Sequence, residues 1–285
     1  MPFVLVKTIA TVFAAMCLIV AGDTAGKLLT AAGFSPFFVA WARFAIAAVF
    51  LLPLSGLRRA ELPNLLDRGI LLRAALIAGG ISCILTALRT EPIANVFGAF
   101  FISPVVSYFL SALLLKERIS ASRTVMLLAG LAGVILVVKP GFGATAGMGF
   151  ALLAGCLHGS YLVATRWLAG DYRPRFLLVS QLLIGAAILS PLAVGAETAA
   201  FDATAAGLIC VSALGSAAGN YLLVITSRST PASLIAPLIY TQLIAAAVAG
   251  YLVFSEWPDA VAFLGLSIIL ASGLLSFWSA RRAHA

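Results

Sequence analysis

Few side chains in this sequence could carry out chemistry, and nearly all of them interrupt long apolar stretches. A polar side chain in such a stretch costs free energy and tends to face the interior of a helix bundle. The neutral members of this set are Ser82, Thr86, Asn95, Ser103, His158, Ser160, Gln181, Asn220, Tyr221, Tyr240, Thr241 and Gln242. Each alone could form a hydrogen bond between helices. Together they predict a weakly polar cavity that suits amphipathic solutes.

The arrangement of these residues argues against catalysis. His158 and Ser160 are two positions apart, so on a helix their side chains point away from each other. The other histidine, His284, lies near the end of the chain. No catalytic triad, metal-ligand cluster or phosphate-binding loop can be assembled from the remaining residues. The sequence therefore predicts no catalytic residue, no metal and no cofactor, and a protein that is not an enzyme.

Asp23 and Arg43 are the charges placed furthest inside the apolar stretches. Each lies roughly nine positions from the turn between their stretches, hence at a similar depth of roughly 13 Å. An unpaired Arg in hydrocarbon costs at least ~2.5 kcal/mol, so Arg43 needs an acidic partner, and Asp23 is the nearest candidate. Lys27 competes for Asp23 as a neighbour on the same helix. The pair is a static clamp or an outer gate, or else Arg43 receives a substrate carboxylate.

Phe97, Phe101, Pro104 and Tyr108 recur at intervals of four, three and four residues, which places them on one face of a helix. Such a stripe often faces lipid or packs against another helix. Pro104, however, has no N–H group, so the carbonyl of the residue four positions earlier needs another partner or a wet cavity. We therefore predict that Phe97 and Phe101 bind substrate and that the helix bends at Pro104.

Composition indicates where these residues are held, since 62% of the chain is hydrophobic, 10% is charged and the mean hydropathy is +1.12. Such a chain belongs in a membrane. The apolar runs are continuous rather than alternating, which predicts helices and not barrel strands. Ser35-Pro36 and Thr90 with Pro92 are typical of helix starts. Ten spans are predicted, at 3–30, 36–54, 69–88, 92–115, 121–138, 147–168, 175–195, 204–226, 231–254 and 259–280.

A shift of 139 residues relates the two halves of the chain. Arg89, Pro92 and Glu117 recur as Arg228, Pro231 and Glu256, and the same shift pairs Phe101 with Tyr240 and Gly80 with Gly219. A constant shift indicates an internal duplication, with repeats at 1–139 and 140–285. Five helices per repeat is an odd number, so the second repeat must be inverted. The predicted fold is an all-α integral membrane protein of ten transmembrane helices in two inverted five-helix repeats, an architecture of secondary transporters and of some channels.

Charge sets the predicted orientation. If the N-terminus is cytoplasmic, 14 of the 18 Lys and Arg residues fall at cytoplasmic ends of spans. These are Lys7, Arg58, Arg59, Arg68, Arg73, Lys116, Arg118, Arg123, Arg166, Arg173, Arg175, Arg228, Arg281 and Arg282. The positive-inside rule then predicts that both termini are cytoplasmic.

Small residues are spaced for close helix contact in three GxxxG patterns, at Gly22 and Gly26, Gly155 and Gly159, and Gly215 and Gly219. We favour packing over substrate contact for these glycines. Gly80 and Gly219 occupy equivalent positions in the two repeats, so we expect these two to border the cavity.

The chain resembles the drug/metabolite transporter superfamily, specifically its EamA-type members with two five-helix repeats. The most telling segment is the fourth helix, with Pro104 in its second half and Lys116-Glu117-Arg118 at its cytoplasmic end. The resemblance implies a ten-helix carrier with a central cavity, mostly exporting small metabolites, amino acids among them. The second repeat departs from the pattern, since Leu243 stands where Pro104 would be matched and the nearest proline is Pro237. We therefore expect the ninth helix to bend at a different height.

These arguments predict a secondary transporter that exports small amphipathic metabolites, above all aromatic or aliphatic amino acids, by alternating access. The alternatives are a multidrug carrier for cationic drugs and a passive channel. The predicted partners are a small-molecule substrate and the lipid bilayer, with no nucleic acid, and the protein is expected to be a monomer in a bacterial inner membrane. The predicted substrate-binding residues are Arg43, Gly80, Ser82, Phe97, Phe101, His158, Asn220, Tyr240 and Gln242. The predicted gate or helix-bend residues are Asp23, Pro104 and Pro237.

Overall fold

A computed structural model describes residues 2–116, 121–139, 145–196, 199–229 and 238–283. These residues form eleven α-helices and one 3₁₀ helix. The α-helices are α1 (Pro2–Ala31), α2 (Pro36–Ser55), α3 (Arg68–Leu88), α4 (Ile93–Phe100), α5 (Ser103–Leu114), α6 (Ala121–Val138), α7 (Ala146–Leu168), α8 (Pro174–Val194), α9 (Ala203–Ser229), α10 (Thr241–Phe254) and α11 (Ala260–Ala283), and the 3₁₀ helix is Arg59–Leu66.

Seven stretches of the described residues are long and apolar enough to cross a membrane, with α4 and α5 together forming one of them at Ile93–Leu114. The remaining apolar helices are shorter, at Thr124–Val138, Thr241–Phe254 and Ala260–Leu275. The predicted all-helical membrane fold is therefore confirmed. The predicted helix count is not exact, because the fourth predicted span is two helices.

Capping groups explain where several helices begin. The Ser35 hydroxyl accepts a hydrogen bond from the Phe37 N–H at 3.3 Å, as predicted, and Asp67 accepts from the N–H groups of Gly69 and Ile70. The predicted Thr90 cap is wrong. The first N–H of α4, that of Ile93, donates instead to Glu256 Oε2 at 3.3 Å, while the Thr90 hydroxyl donates to Glu91.

Helix pairing brings the two halves of the chain together. α1 packs along α9 and α3 along α7, while α2 meets α8, α4 meets α10 and α6 meets α11. Close approach depends on glycine, since an added Cβ at Gly22 would lie 2.9 Å from the Ser212 carbonyl oxygen. At Gly219 a Cβ would lie 2.6 Å from the Ala15 oxygen. The glycines on α1 and α9 therefore serve helix packing, as favoured from the sequence.

Candidate functional site

The fourth span breaks between Phe100 and Ser103, immediately before Pro104. Proline cannot donate the hydrogen bond that a continuous helix would need, and its ring clashes with the carbonyl four residues earlier. That carbonyl, of Phe100, packs against Gly155 of α7, where an added Cβ would lie only 2.6 Å from the oxygen. Gly155, in the GxxxG pattern of α7, therefore lies directly against the carbonyl that Pro104 leaves without a helical partner.

An aromatic cluster surrounds this break. Its rings are Phe97, Phe100, Phe101, His158, Tyr161 and Tyr240. The centroids of Phe101 and Tyr240 are 4.8 Å apart, and those of Phe100 and His158 are 4.9 Å apart. Phe101 and Tyr240 are also the residues that the 139-residue shift relates. Equivalent side chains of the two halves thus touch each other beside the break in the fourth span.

A polar contact adds a hydrogen-bonding group to the aromatic cluster. His158 Nδ1 and the Ser103 hydroxyl, at the start of α5, are 2.8 Å apart. The Ser160 hydroxyl donates to the Cys156 carbonyl of its own helix. His158 and Ser160 therefore have separate partners. The cluster offers stacking surfaces and a few hydrogen-bonding groups.

Asp23 and Arg43 form a buried ion pair. Arg43 Nη1 donates to Asp23 Oδ1 at 2.5 Å, and Nη2 donates to the Ser216 hydroxyl at 2.6 Å. The pair lies between α1, α2 and α9, and Arg43 Nε is buried with no partner among the described residues. We call Asp23, Arg43 and Ser216 the Arg43 cluster. It joins two helices of the first half to one of the second.

Lys27 does not compete for Asp23, contrary to the sequence-based expectation. Its ammonium donates to both Glu256 oxygens at 2.7 Å and to the Glu91 carbonyl at 2.8 Å, and it lies 4.6 Å from the Phe254 ring centroid. The Glu91 carboxylate accepts from the Thr145 hydroxyl at the start of α7. We call Lys27, Glu91 and Glu256 the Lys27 cluster. It ties both halves of the chain together at one end of the bundle.

The remaining predicted residues are not members of these clusters. Gly80 packs on α7, with the Ala154 oxygen 3.6 Å from an added Cβ, and the Ser82 hydroxyl donates to the Ala78 carbonyl of its own helix. Asn220 is exposed and donates to the Ser216 carbonyl at 2.8 Å. Gln242 is buried near the start of α10. Pro237 lies outside the described residues.

Arg73 is a buried residue that sequence reasoning missed. It was grouped with the charges at helix ends, yet it is only 3% exposed and contacts α7 and α8. Its position five residues after the start of α3 was the available signal, since a charge there can lie inside the membrane. Phe100 and Tyr161 were also missed, because neither fits the periodic stripe.

Two apolar grooves of similar size lie on the sides of the bundle. One, of about 430 Å³, is lined by α3, α5 and α7, and the other, of about 440 Å³, by α1, α9 and α10. Counting back by 139 residues takes Val163 and Trp167 of the first groove to Thr24 and Leu28 of the second. The two halves therefore present equivalent grooves.

Comparisons with known proteins match most of the chain. The model of the EamA-like transporter family matches residues 6–139 and again residues 145–278. A riboflavin transporter of Rhizobium johnstonii is 26% identical over 208 residues, which is 72% of this chain and 68% of that protein. An uncharacterized transporter of Helicobacter pylori is 25% identical over 212 residues, or 70% of each chain. A solved crystal structure with 17% identity superposes with a TM-score of 0.66 over 97% of this chain and 99% of its own, which indicates a shared fold.

Proposed function

This chain belongs to the EamA-like transporter family and is a multi-pass membrane protein, and on that basis we propose that it is a secondary carrier that exports small amphipathic metabolites. Aromatic and aliphatic amino acids are the first candidates. In the proposed cycle the two repeats, 1–139 and 140–285, rock around a central site and open it to each side in turn.

The contact between Phe101 and Tyr240 carries this proposal. Equivalent residues of two repeats meet only near the axis that relates the repeats, which is where a transporter of this architecture holds its substrate. An aromatic pair is worth roughly 0.5–1.5 kcal/mol beyond its buried area, so a solute with an aromatic ring can replace one partner at little cost. We assign substrate contact to Phe97, Phe101, His158 and Tyr240.

The pairing of the helices supports two structurally equivalent repeats, which the proposed mechanism requires. If the repeats exchange places, the contact of α1 with α9 becomes that of α7 with α3, and both contacts are present. The orientation, with both termini in the cytoplasm of a bacterial cell, rests on the distribution of basic residues. Single cysteines at Ser120 and Asp259, in a background without other cysteines, should then react with an impermeant maleimide from opposite sides. Equal labelling in intact cells would exclude inversion.

A planar heteroaromatic solute is the second candidate, because the R. johnstonii relative is named a riboflavin transporter and the rings of the aromatic cluster could stack on a flavin. Cationic drugs rank lower. A drug cation would need a free carboxylate. Asp23 is bound by Arg43 and Glu256 by Lys27, while the Glu91 carboxylate lies in the Lys27 cluster and accepts from the Thr145 hydroxyl. Asp23 is accordingly assigned to a gate or clamp.

Counterflow in proteoliposomes tests the carrier. Purified protein is reconstituted with an unlabelled solute inside, and uptake of the same labelled solute is followed for phenylalanine, leucine, riboflavin and tetraphenylphosphonium. A carrier shows uptake stimulated by the internal solute, whereas a channel shows none. Uptake of tetraphenylphosphonium alone would reverse the substrate ranking, and the absence of stimulation for every solute would reject the carrier.

Matched variants locate the site. Phe101→Leu removes the ring that touches Tyr240, and it should slow exchange of an aromatic solute roughly two- to twelvefold, as expected for one lost stacking contact. Phe109→Leu makes the same change on an exposed face of α5 and should leave exchange unchanged. Equal effects of the two variants would remove the aromatic cluster from the substrate path.

A further inference from the structure

Arg73 is held by neutral groups alone. Its Nε donates to the Thr165 hydroxyl at 2.7 Å, Nη1 to the Leu177 carbonyl at 2.7 Å and Nη2 to the Tyr161 hydroxyl at 2.8 Å. The guanidinium carbon also lies 4.7 Å from the centroid of the Tyr161 ring. Tyr161 in turn donates to Gln181 at 2.7 Å. We call these five residues the Arg73 cluster.

The charge of Arg73 has no counter-ion in the part of the chain that is described. Ion pairs there include Lys27 with Glu256, Arg43 with Asp23, Lys139 with Asp259 and Arg173 with Glu61, and none of these involves Arg73. Removing an unpaired charge from water is costly, and ionisable residues inside membrane spans are commonly tied to function for that reason. A buried arginine with only neutral acceptors is therefore suited to an anion that comes and goes.

The Arg73 cluster occupies the same place in the second half as the Arg43 cluster does in the first. The Arg43 cluster lies between α1, α2 and α9, and the Arg73 cluster lies between their counterparts α7, α8 and α3. The 139-residue shift relates Tyr161 to Gly22, which is adjacent to Asp23. It relates Gln181 to Ala42, which is adjacent to Arg43. The Arg43 cluster contains a carboxylate, that of Asp23. Among the described residues, the Arg73 cluster contains none.

We propose that Arg73 binds the carboxylate of the transported solute, which supplies the negative charge that Asp23 supplies in the equivalent cluster. Of the five N–H bonds of the guanidinium, three are donated to protein acceptors, which leaves one on each of Nη1 and Nη2. Two N–H groups on neighbouring nitrogens match the two oxygens of a carboxylate. This inference rests on the proposed carrier function and narrows its substrate to carboxylate-bearing solutes.

The surroundings of Arg73 fit the rest of such a solute. The ring of Tyr161 is 5.8 Å from that of His158, which is 4.9 Å from that of Phe100. A row of rings therefore leads from the guanidinium to the break in the fourth span. Arg73 lies about 7.5 Å along α3 from its first residue, at the predicted cytoplasmic end. A solute for export would meet the arginine before the aromatic cluster.

Carboxylate preference can be measured on the wild-type protein. Proteoliposomes are assayed for trans-stimulated exchange of phenylalanine, phenylalaninamide, 3-phenylpropanoate and 3-phenylpropanamide. We expect each acid to exchange at least tenfold faster than its amide, because a charge-assisted bidentate contact is lost in the amide. Equal rates for acid and amide would overturn the assignment of Arg73 while leaving the carrier intact. Absence of exchange for all four probes and for leucine, riboflavin and tetraphenylphosphonium would overturn the carrier itself.

Variants then assign the preference to Arg73. Arg73→Met should bring the acid-to-amide ratio close to one, and Arg73→Lys, which keeps the charge but not the planar fork, should keep part of it. Arg68→Met removes an exposed arginine from the same helix and should keep the wild-type ratio. A wild-type ratio in Arg73→Lys and Arg73→Met would overturn the proposal. If Arg73→Met fails to fold, a ratio in Arg73→Lys equal to that of the wild type would do the same.

Discussion

Removing one partner of the Asp23–Arg43 pair should destabilise the protein strongly. The two side chains are 5% and 6% exposed and their charged atoms are 2.5 Å apart. Asp23→Asn leaves the Arg43 guanidinium buried without a counter-ion, and Arg43→Met leaves the carboxylate in the same condition. Breaking a buried pair in this way costs about 3–5 kcal/mol. Most of this cost is the penalty of the stranded charge, so replacing both residues, as Asp23→Leu with Arg43→Met, should recover most of it.

The Lys139–Asp259 pair is the matched control. It also joins an acidic and a basic side chain, but these are 55% and 29% exposed. Exposed pairs contribute about 0–1 kcal/mol, so Lys139→Met should change the free energy of unfolding by no more than that. The expected difference between the two sites is therefore at least about 2 kcal/mol.

Denaturant titration in detergent micelles, followed by tryptophan fluorescence and checked for reversibility, measures both effects. The reasoning fails if Asp23→Asn and Lys139→Met shift the midpoint equally, or if the double replacement is as unstable as either single one. The swap Asp23→Arg with Arg43→Asp separates the two roles of the pair. Recovery of folding and exchange identifies a clamp, whereas recovery of folding alone assigns Arg43 to the substrate path.

Two further effects follow from the geometry. Hydrogen bonds from Arg173, then one from the Arg58 N–H, lower the pKa of Glu61 from 4.5 to about 2, so this carboxylate stabilises the fold above pH 4.5 and the contribution is lost as the pH falls towards 2. The difference in unfolding midpoint between wild type and Glu61→Gln should accordingly shrink over that range, and a constant difference would contradict the pairing. Gly155→Ala should cost about 1–3 kcal/mol because its Cβ would lie 2.6 Å from the Phe100 oxygen, whereas Gly80→Ala, with 3.6 Å to its nearest neighbour, should cost less than about 0.5 kcal/mol in the same titration.

Local sequence patterns were sufficient for most of the fold. The predicted spans 69–88 and 147–168 differ by one residue at one end from α3 and α7, because a continuous apolar run and its flanking charges mark where a helix crosses a membrane. The broken fourth span was predicted only as a bend at Pro104. Whether a proline bends a helix or splits it into two depends on which residue packs against the carbonyl that the proline leaves unbonded. Here that residue is Gly155, which is distant in sequence, so the split could not be predicted locally.

Contacts of the site between residues close in sequence could be predicted, whereas contacts between residues far apart in sequence could not. Asp23 and Arg43 are joined by one turn, so equal depth could be inferred by counting residues. Lys27 and Glu256 are 229 positions apart, so the pair could not be inferred by counting residues. Lys27 was expected instead to contact Asp23, its neighbour on the same helix. Arg73 was missed for a different reason. A basic residue so near the start of a helix is usually in contact with water, and only the packing of α7 and α8 excludes it.

The Glu256 carboxylate has two roles, because it neutralises Lys27 and also accepts a hydrogen bond from the first N–H of α4. Any movement that separates Lys27 from Glu256 uncovers an ammonium, a carboxylate and the end of a helix, and all three must be hydrated. Opening at this end must therefore take up water. Solutes such as sucrose, which are excluded from protein surfaces, favour burial and hence the closed arrangement. If the protein opens at this end, we therefore expect the osmotic state of the surroundings to act on it through the same three groups.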